Sequence, residues 1–227
     1  SQALAISPTL PRGHHGLAKS LAARSRLDEA LTEAQAALRS APRDLELHHT
    51  VGAIYERMHK FEEAIGSYTN YTNLLPNRDR SDQAIWSRFE IKFLQSFGDR
   101  EPFQLAPEDE TRVHTVDFRV IKDKVVVRAK VNGGSLQDFV VDTGSENTVV
   151  TIPTAEKLGI VPITSTLSAG VGDRGLRGLQ LGRIDRLEVG TLVVKNVPCI
   201  IKDPPLRRLP VKETESLSPL ALGFSAT

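Results

Sequence analysis

Valine is concentrated in the second half of this chain: 18 of its 19 valines lie after position 112. Alanine shows the opposite bias, with fourteen alanines up to position 112 and five after it. Because alanine is the best helix former and valine prefers the pleated surface of a sheet, the bias predicts a helical domain followed by a β domain. The chain of 227 residues can bury a core in each of two such domains.

Charge and cysteine content exclude several classes of protein. The 29 basic and 28 acidic residues nearly cancel, which argues against nucleic acid or an anionic membrane as the main partner. No apolar run approaches the roughly 18 residues of a membrane span. The single cysteine, Cys199, excludes an intramolecular disulfide and a four-thiolate zinc site. It lies between Pro198 and two isoleucines, where we expect a small buried hydrophobe.

Three prolines, at positions 8, 42 and 76, are evenly spaced. Alignment on them places small and aromatic residues in shared columns: Ala18 with Gly52, Ala30 with Ala64, Ala34 with Tyr68, Ala37 with Tyr71 and Leu21 with Tyr55. The period of about 34 residues, with small side chains where two helices approach, resembles the tetratricopeptide repeat of two antiparallel helices. The resemblance implies an N-terminal α-solenoid in which tyrosines fill the gaps between helices.

The repeat spacing also predicts where the domains begin and end. We expect a partial repeat at residues 1–10, complete repeats at 11–44 and 45–78, and a capping helix at 82–97. The chain is therefore expected to begin inside a repeat and to be a piece of a longer protein. Residues 98–112, with two prolines and several charges, predict a linker or surface strap, and the β domain is expected over residues 113–227.

Repeat arrays of this kind present extended concave surfaces, so we expect a protein or peptide partner on the helical half. A spacer or a dimer-forming platform is the alternative. The doublets His14-His15 and His48-His49 occupy the same position in the two complete repeats. They are interpreted as surface histidines and not as a metal site, because no carboxylate or cysteine recurs with them. Trp86 is expected to be a buried residue of the capping helix.

In the β half, an apolar strand pattern leads directly into Asp142-Thr143-Gly144-Ser145, and a second apolar run, Thr148 to Ile152, follows. Upstream, Val125 to Val131 predicts a strand, and Asn132-Gly133 predicts a tight hairpin to a partner strand, Leu136 to Val141. An ordinary β-turn is the alternative interpretation of the tripeptide alone. The whole succession resembles the retropepsin-like aspartic proteases, and this resemblance implies an all-β acid-protease fold.

The resemblance assigns roles to the residues of this motif. Amide hydrolysis by carboxylates needs a pair that shares one proton, and Asp142 is the candidate for one member. Gly144 would bring backbone N–H groups to the carboxylate, Thr143 would interlock with its counterpart, and the Ser145 hydroxyl would bond the outer carboxylate oxygen. Only one such motif occurs, so we expect activity to require a homodimer, with a polypeptide substrate and no metal or organic cofactor.

Two further segments correspond to elements of that family. The flap over the substrate is expected near Gly170, Val171, Gly172 and Asp173, where glycines let backbone approach an extended peptide. A phosphate-binding loop is the competing interpretation, but the Gly-Lys-Ser/Thr ending is missing. Leu222 and Gly223 resemble the apolar segment that packs under the active-site loop, with a generic apolar tail as the alternative.

These patterns together predict an aspartic endopeptidase whose repeats recruit a substrate or regulator. The alternative is a non-catalytic tetratricopeptide adaptor that uses the β domain for dimerisation, or an inactive monomeric precursor. Terminal strands clamp the retroviral dimer, whereas this sequence ends four residues after Gly223, so the clamp is expected either in residues outside this sequence or in the repeats. The family resemblance and the lone Cys199 favour a bacterial envelope location over the cytoplasm, although the sequence leaves the compartment open.

Overall fold

A computed structural model describes residues 9–143, 145, 147–169 and 176–202. The chain divides into two compact units, with the change between them at Gly98 and Asp99. The described part of the first unit is helical, and the described part of the second unit is built on a seven-stranded sheet. The order of the two units is the one predicted from the distribution of alanine and valine.

Five helices form the described part of the first unit. They are α1 (Pro11–Ala22), α2 (Leu27–Ser40), α3 (Leu45–Arg57), α4 (Phe61–Leu74) and α5 (Asp82–Gln95). Short loops join the first four helices, which makes consecutive helices antiparallel. The side chain of Asp44 caps α3 by accepting the Glu46 backbone N–H at 3.0 Å, and Ser81 caps α5 by accepting that of Ala84 at 3.2 Å.

Contacts between α1, α3 and α5 show how successive helix pairs are stacked. The Nε2 of His15 on α1 lies 2.8 Å from the Thr50 hydroxyl on α3. The ring of His49 on α3 lies 5.2 Å from that of Trp86 on α5. The first helices of successive pairs are therefore neighbours, as the repeat spacing predicts for a solenoid. Trp86 is only partly buried.

Small residues of the aligned columns lie where the helices of a pair approach each other. Ala18, Ala30 and Ala64 are fully buried, and Gly52 is buried as well. A Cβ atom on Gly52 would come within 2.7 Å of the Tyr68 ring, which packs directly against the α3 backbone. The predicted roles of small residues at these positions, and of Tyr68 as a space-filling side chain, are confirmed.

The expectation of four surface histidines is wrong for His48. This side chain is buried, and its Nε2 donates to the backbone carbonyl of Pro42 at 2.9 Å. The carbonyl lies in the loop before α3, outside a helical hydrogen-bond ladder, so the imidazole supplies its partner. His14 is half-buried and lies 2.6 Å from a carboxylate oxygen of Glu33.

A buried polar cluster joins α3, α4 and α5. The Tyr68 hydroxyl donates to Glu56 Oε2 at 2.7 Å, and Glu90 on α5 is only 8% exposed. Burial, followed by the nearby charge of Glu56, raises the pKa of Glu90 to about 8. Burial and then the charge of Glu56 also raise the pKa of Tyr68. The helical unit therefore carries a carboxyl group that favours its neutral form.

The described part of the second unit contains seven strands and one short helix. The strands are β1 (Phe118–Ile121), β2 (Lys124–Val131), β3 (Gln137–Val140), β4 (Thr148–Val150), β5 (Pro162–Ala169), β6 (Leu176–Val189) and β7 (Leu192–Ile201), and α6 (Ile152–Lys157) follows β4. The strand order is β1-β2-β6-β7-β4, with β3 on β2 and β5 on β6. All neighbours are antiparallel except β4 and β7.

The predicted turn at Asn132-Gly133 forms, with φ of 49° and 72° and a 2.9 Å bond from the Gly134 N–H to the Val131 carbonyl. The partner strand nevertheless starts later than a tight hairpin requires, because Gln137 pairs with Ala129. The end of β2, up to Val131, pairs with β6 as well. A second turn, at Lys122-Asp123, has positive φ at both residues and no glycine to reveal it in the sequence.

Residues 101–104 are attached to β7. The backbone N–H and carbonyl of Gln104 bond those of Lys195 at 3.1 and 2.9 Å, and the buried Asn196 side chain donates to the Glu101 carbonyl at 3.0 Å. Phe103 packs against the core of the sheet. The start of the segment predicted as a linker or strap thus lies along the surface of the second unit.

Candidate active site

The Asp142 loop connects two strands that are rooted in one hydrophobic core. Phe139 on β3 and Val150 on β4 are both fully buried in that core. The loop between them carries Asp142 and Thr143, and both of these residues are exposed. The sequence therefore forms an apolar strand, an exposed polar loop and a second apolar strand, which fixes the position of a carboxylate at the surface.

Backbone hydrogen bonds hold the loop at both ends. The N–H of Val141, directly before Asp142, donates to the Val125 carbonyl at 2.9 Å. On the far side, Thr148 pairs with Cys199 in the parallel ladder of β4 and β7. Within the loop, the Ser145 N–H donates to the Asp142 carbonyl at 3.2 Å and closes a turn. Asp142 is thus held by long-range pairing as well as by local turn geometry.

The predicted helpers of Asp142 are only partly within the described residues. The Ser145 hydroxyl donates to the Asn147 carbonyl at 2.8 Å and so links two parts of the same loop. Gly144 lies outside the described residues. The role of the Ser145 hydroxyl toward the carboxylate, and that of Thr143 toward a counterpart, concern a paired site and stay predictions.

The flap is predicted in the connection between two paired strands. β5 and β6 pair from Pro162 opposite Gly182 to Ala169 opposite Leu176, so they form a long antiparallel hairpin. The flap candidates Gly170, Val171, Gly172 and Asp173 lie outside the described residues, as do Leu222 and Gly223 of the predicted loop-packing segment. Their roles stay predictions.

Other aspartates of the sheet form ion pairs with arginine. Asp138 on β3 lies 2.5 Å from Arg119 on β1, and Asp185 lies 3.1 Å from Arg183 on the same strand. These contacts give both carboxylates structural partners. Across residues 9–143, 145, 147–169 and 176–202, no group of three or more His, Cys, Asp or Glu side chains is placed to hold a metal ion.

Cys199 lies on β7, opposite Thr148 of β4, and belongs to the core of the sheet. Its side chain is 1% exposed, and burial raises the pKa of the thiol to about 12. The prediction of a small buried hydrophobe is confirmed. In the described part of the chain, no helix is both long and apolar enough to cross a membrane.

The main feature that sequence reasoning missed is the contact that positions Val141. Its partner, Val125, lies on β2, and the sequence identifies it only as part of a strand. The register that places the two side by side follows from β2–β3 pairing, in which Val126 lies opposite Val140. The turn at Asn132-Gly133 is the sequence signal for this register. A two-residue turn there would pair Ala129 with Leu136, but Ala129 pairs with Gln137, so the sequence alone gives the wrong register.

A family model and one solved structure relate this chain to known proteins. Residues 127–226 match a family model described as aspartyl protease. This match supports an aspartic protease domain. Among solved structures, the chain is similar to a retropepsin-like aspartic protease from Rickettsia conorii, with 18% identity, a TM-score of 0.33, and coverage of 42% of this chain and 77% of that one. No curated protein matches.

The matched segment begins within β2 and contains the whole Asp142 loop with the strands on both sides. A helical region is therefore followed by a β domain that matches the aspartyl protease model, in the order that the sequence predicted. The family match covers the second unit only, and the tetratricopeptide assignment of the first unit stays a prediction.

Proposed function

We propose that this chain is one subunit of an aspartic endopeptidase, in which Asp142 from two copies forms the catalytic pair. The observation that carries the proposal is the exposed Asp142, anchored between two buried strands, within the segment that matches the aspartyl protease model. One carboxylate would take a proton from the attacking water, while the other would donate its proton to the carbonyl oxygen of the substrate.

Two copies are needed because the chemistry requires two carboxylates in contact. Close carboxylates cannot both ionise easily, so the pair retains one proton and presents an acid beside a base. The Asp-Thr-Gly motif occurs once in the sequence. A twofold axis beside Asp142 would supply the second group without any further motif.

Peptide-library cleavage tests the reaction. Wild-type protein should cleave peptides, and Asp142→Asn should abolish cleavage without changing the fold. Glu156→Gln is the matched control, because Glu156 is an exposed carboxylate on α6 of the same unit. Equal cleavage by wild type and Asp142→Asn would refute the proposed function.

Mixing wild-type and Asp142→Asn chains tests the shared site. If subunits exchange freely and a mixed pair is inactive, only about one quarter of the pairs in an equal mixture are active. The mixture then retains about one quarter of the activity of pure wild type at the same total protein concentration. A site complete within one chain would retain about one half. The second result would disprove the two-chain mechanism while leaving Asp142 as the catalytic group.

The same proposal assigns recruitment of a polypeptide or regulator to the helical unit. Support comes from the neighbouring first helices, which bring Lys19 of α1, His49 of α3 and Trp86 of α5 close to one another. The charge of Lys19 contributes, after burial, to a lowered pKa of His49, so the two groups are close. Lys19→Glu should raise KM for a protein substrate but not for a short peptide. An equal KM for the protein substrate would contradict this role.

A further inference from the structure

Two carboxyl groups and two aromatic rings meet where α3, α4 and α5 pack together. Trp86 and Glu90 lie one turn apart on α5, so their side chains share a face of that helix. The Trp86 ring packs edge-on against Tyr68 at 5.4 Å, and the Tyr68 hydroxyl donates to Glu56 at 2.7 Å. The charges of Glu56 and Glu90 both act on Tyr68. These four residues form the Glu90 cluster.

The Glu90 carboxyl group is the member of the Glu90 cluster that lacks a partner. It is more than nine-tenths buried, yet within residues 9–143, 145, 147–169 and 176–202 no hydrogen bond or ion pair reaches it. The Tyr68 hydroxyl donates to Glu56 instead. Its charged neighbour is Glu56, which has the same sign. Two close carboxyl groups, one of them largely removed from water, are stabilised in their ionised forms by a positive charge beside them.

The aromatic side of the Glu90 cluster is open to solvent. Trp86, His49 and Glu56 are each half-buried, and the rings of His49 and Trp86 lie 5.2 Å apart. The face of an indole ring attracts an ammonium or guanidinium group. Lys19 on α1 and Glu46 on α3 are the charged groups that act on His49 at this edge. The site therefore combines buried negative charge with an accessible aromatic wall.

We infer that the Glu90 cluster binds a basic side chain, lysine or arginine, of the polypeptide that the helical unit recruits. The inference rests on the recruitment role proposed for this unit, and it does not depend on cleavage by Asp142. The cationic group would lie beside the Glu56 and Glu90 carboxylates, with its alkyl stem against the Trp86 ring. A proton held by the carboxyl pair would pass to solvent as the cation binds. Lys19 would repel the same cation, which directs it toward α5 and away from α1.

Fluorescence of Trp86 measures binding at the site, because this residue is the only tryptophan of the sequence and belongs to the cluster. The probe is a pentapeptide with blocked ends and one arginine between two pairs of glycine. The matched probe carries citrulline, which has nearly the same shape and no charge. At pH 8 the full chain should bind the arginine peptide with a dissociation constant on the order of 1 mM, and the citrulline peptide about tenfold more weakly. An equal response to both peptides would overturn the inference.

Replacement of Glu90 by glutamine tests the buried carboxyl group. Glu90→Gln keeps the size of the side chain and should weaken binding of the arginine peptide about tenfold, with no change for the citrulline peptide. Glu62→Gln is the matched control, because Glu62 is an exposed carboxylate on α4 and its loss changes the net charge equally. Circular dichroism melting checks that both variants are folded. A folded Glu90→Gln chain that binds the arginine peptide like wild type would disprove the site.

The pH dependence of binding tests the site in the wild-type chain alone. With a pKa of about 8, Glu90 is ionised in about one tenth of the chains at pH 7 and in about nine tenths at pH 9. If the cation binds the ionised pair, the dissociation constant for the arginine peptide should fall about tenfold between these pH values. Arginine stays charged throughout, and burial lowers the pKa of His49, so this ring is neutral at both. A dissociation constant that does not change with pH would contradict the inference.

The same titration on Asp142→Asn separates this inference from the proposed protease. Binding uses the helical unit, so the Asp142→Asn chain should bind the arginine peptide as wild type does. A chain that binds this peptide through Glu90 but cleaves no peptide would support the site and refute the protease. Cleavage that needs Asp142, in a chain whose Trp86 fluorescence ignores the arginine peptide, would refute the site alone.

Discussion

Replacement of Gly52 by alanine tests the packing of the helical unit. The added Cβ would lie 2.7 Å from both Cδ1 and Cε1 of the Tyr68 ring, well inside van der Waals contact. The ring has little freedom to move, because Tyr68 is 1% exposed, its hydroxyl bonds Glu56, and Trp86 packs edge-on against it at 5.4 Å. We expect overpacking to cost about 1–3 kcal/mol, reduced by about 0.5–1 kcal/mol of improved helix propensity.

Gly66→Ala is the matched control for this substitution. Gly66 lies within α4, and a Cβ there would meet nothing within 4 Å. This variant should gain the propensity term of about 0.5–1 kcal/mol without any clash. The two variants should therefore differ by roughly 2 kcal/mol in the free energy of unfolding, with Gly52→Ala below wild type and Gly66→Ala above it.

Urea unfolding, monitored by tryptophan fluorescence, measures this difference in the stability of the helical unit. Trp86 is the only tryptophan of the sequence, it belongs to α5, and its ring contacts Tyr68. The signal therefore reports the helical unit even if the two units unfold separately. A Gly52→Ala variant as stable as Gly66→Ala would refute the close packing of α3 on Tyr68.

Two further predictions use buried titratable groups. Glu90 has a pKa of about 8 in the folded protein and an ordinary pKa of 4.5 in the unfolded chain. The contribution of this group to stability is therefore fully present below about pH 4.5 and is lost as the pH rises through 8. Between pH 4.5 and pH 8, the free energy of unfolding of wild type should fall by up to about 1.4 kcal/mol per pH unit through this group, and Glu90→Gln should lack that decrease. The free energy of unfolding is measured at several pH values by the fluorescence of Trp86. An equal pH dependence in the two proteins would contradict the prediction. Cys199, buried and with its pKa raised to about 12, should react with a thiol reagent only after unfolding, and fast labelling of native protein would exclude the buried position.

Features set by neighbours along the chain were predictable from the sequence. The small residues at positions 18, 30, 52 and 64 follow from helix-pair packing, which recurs at the same point of each predicted repeat. The turn at Asn132-Gly133 follows from the positive φ that these residues tolerate. The Asp142 loop was predictable because a polar turn between two apolar strands is also a pattern of neighbouring residues.

Features set by distant pairs were not predictable. The parallel pairing of Thr148 with Cys199 joins residues far apart in sequence, and neither strand carries a pattern that selects the other. Attachment of Gln104 to Lys195 uses backbone groups alone, so side-chain type gives no signal. The prediction for His48 was wrong for a similar reason, since its buried position depends on the carbonyl of Pro42 and on the packing of neighbouring helices.

The position of Asp142 is fixed within one chain, whereas its proposed chemistry needs two. Folding alone sets the bond between Val141 and Val125 and the pairing of β4 with β7, so each copy presents its carboxylate before any partner arrives. Under the proposed function, association of two chains then sets how many pairs of Asp142 carboxylates exist, and it leaves the geometry of each Asp142 loop unaltered. A weakened interface should therefore lower activity in dilute protein and restore it at high concentration, whereas a damaged loop would lower activity at every concentration.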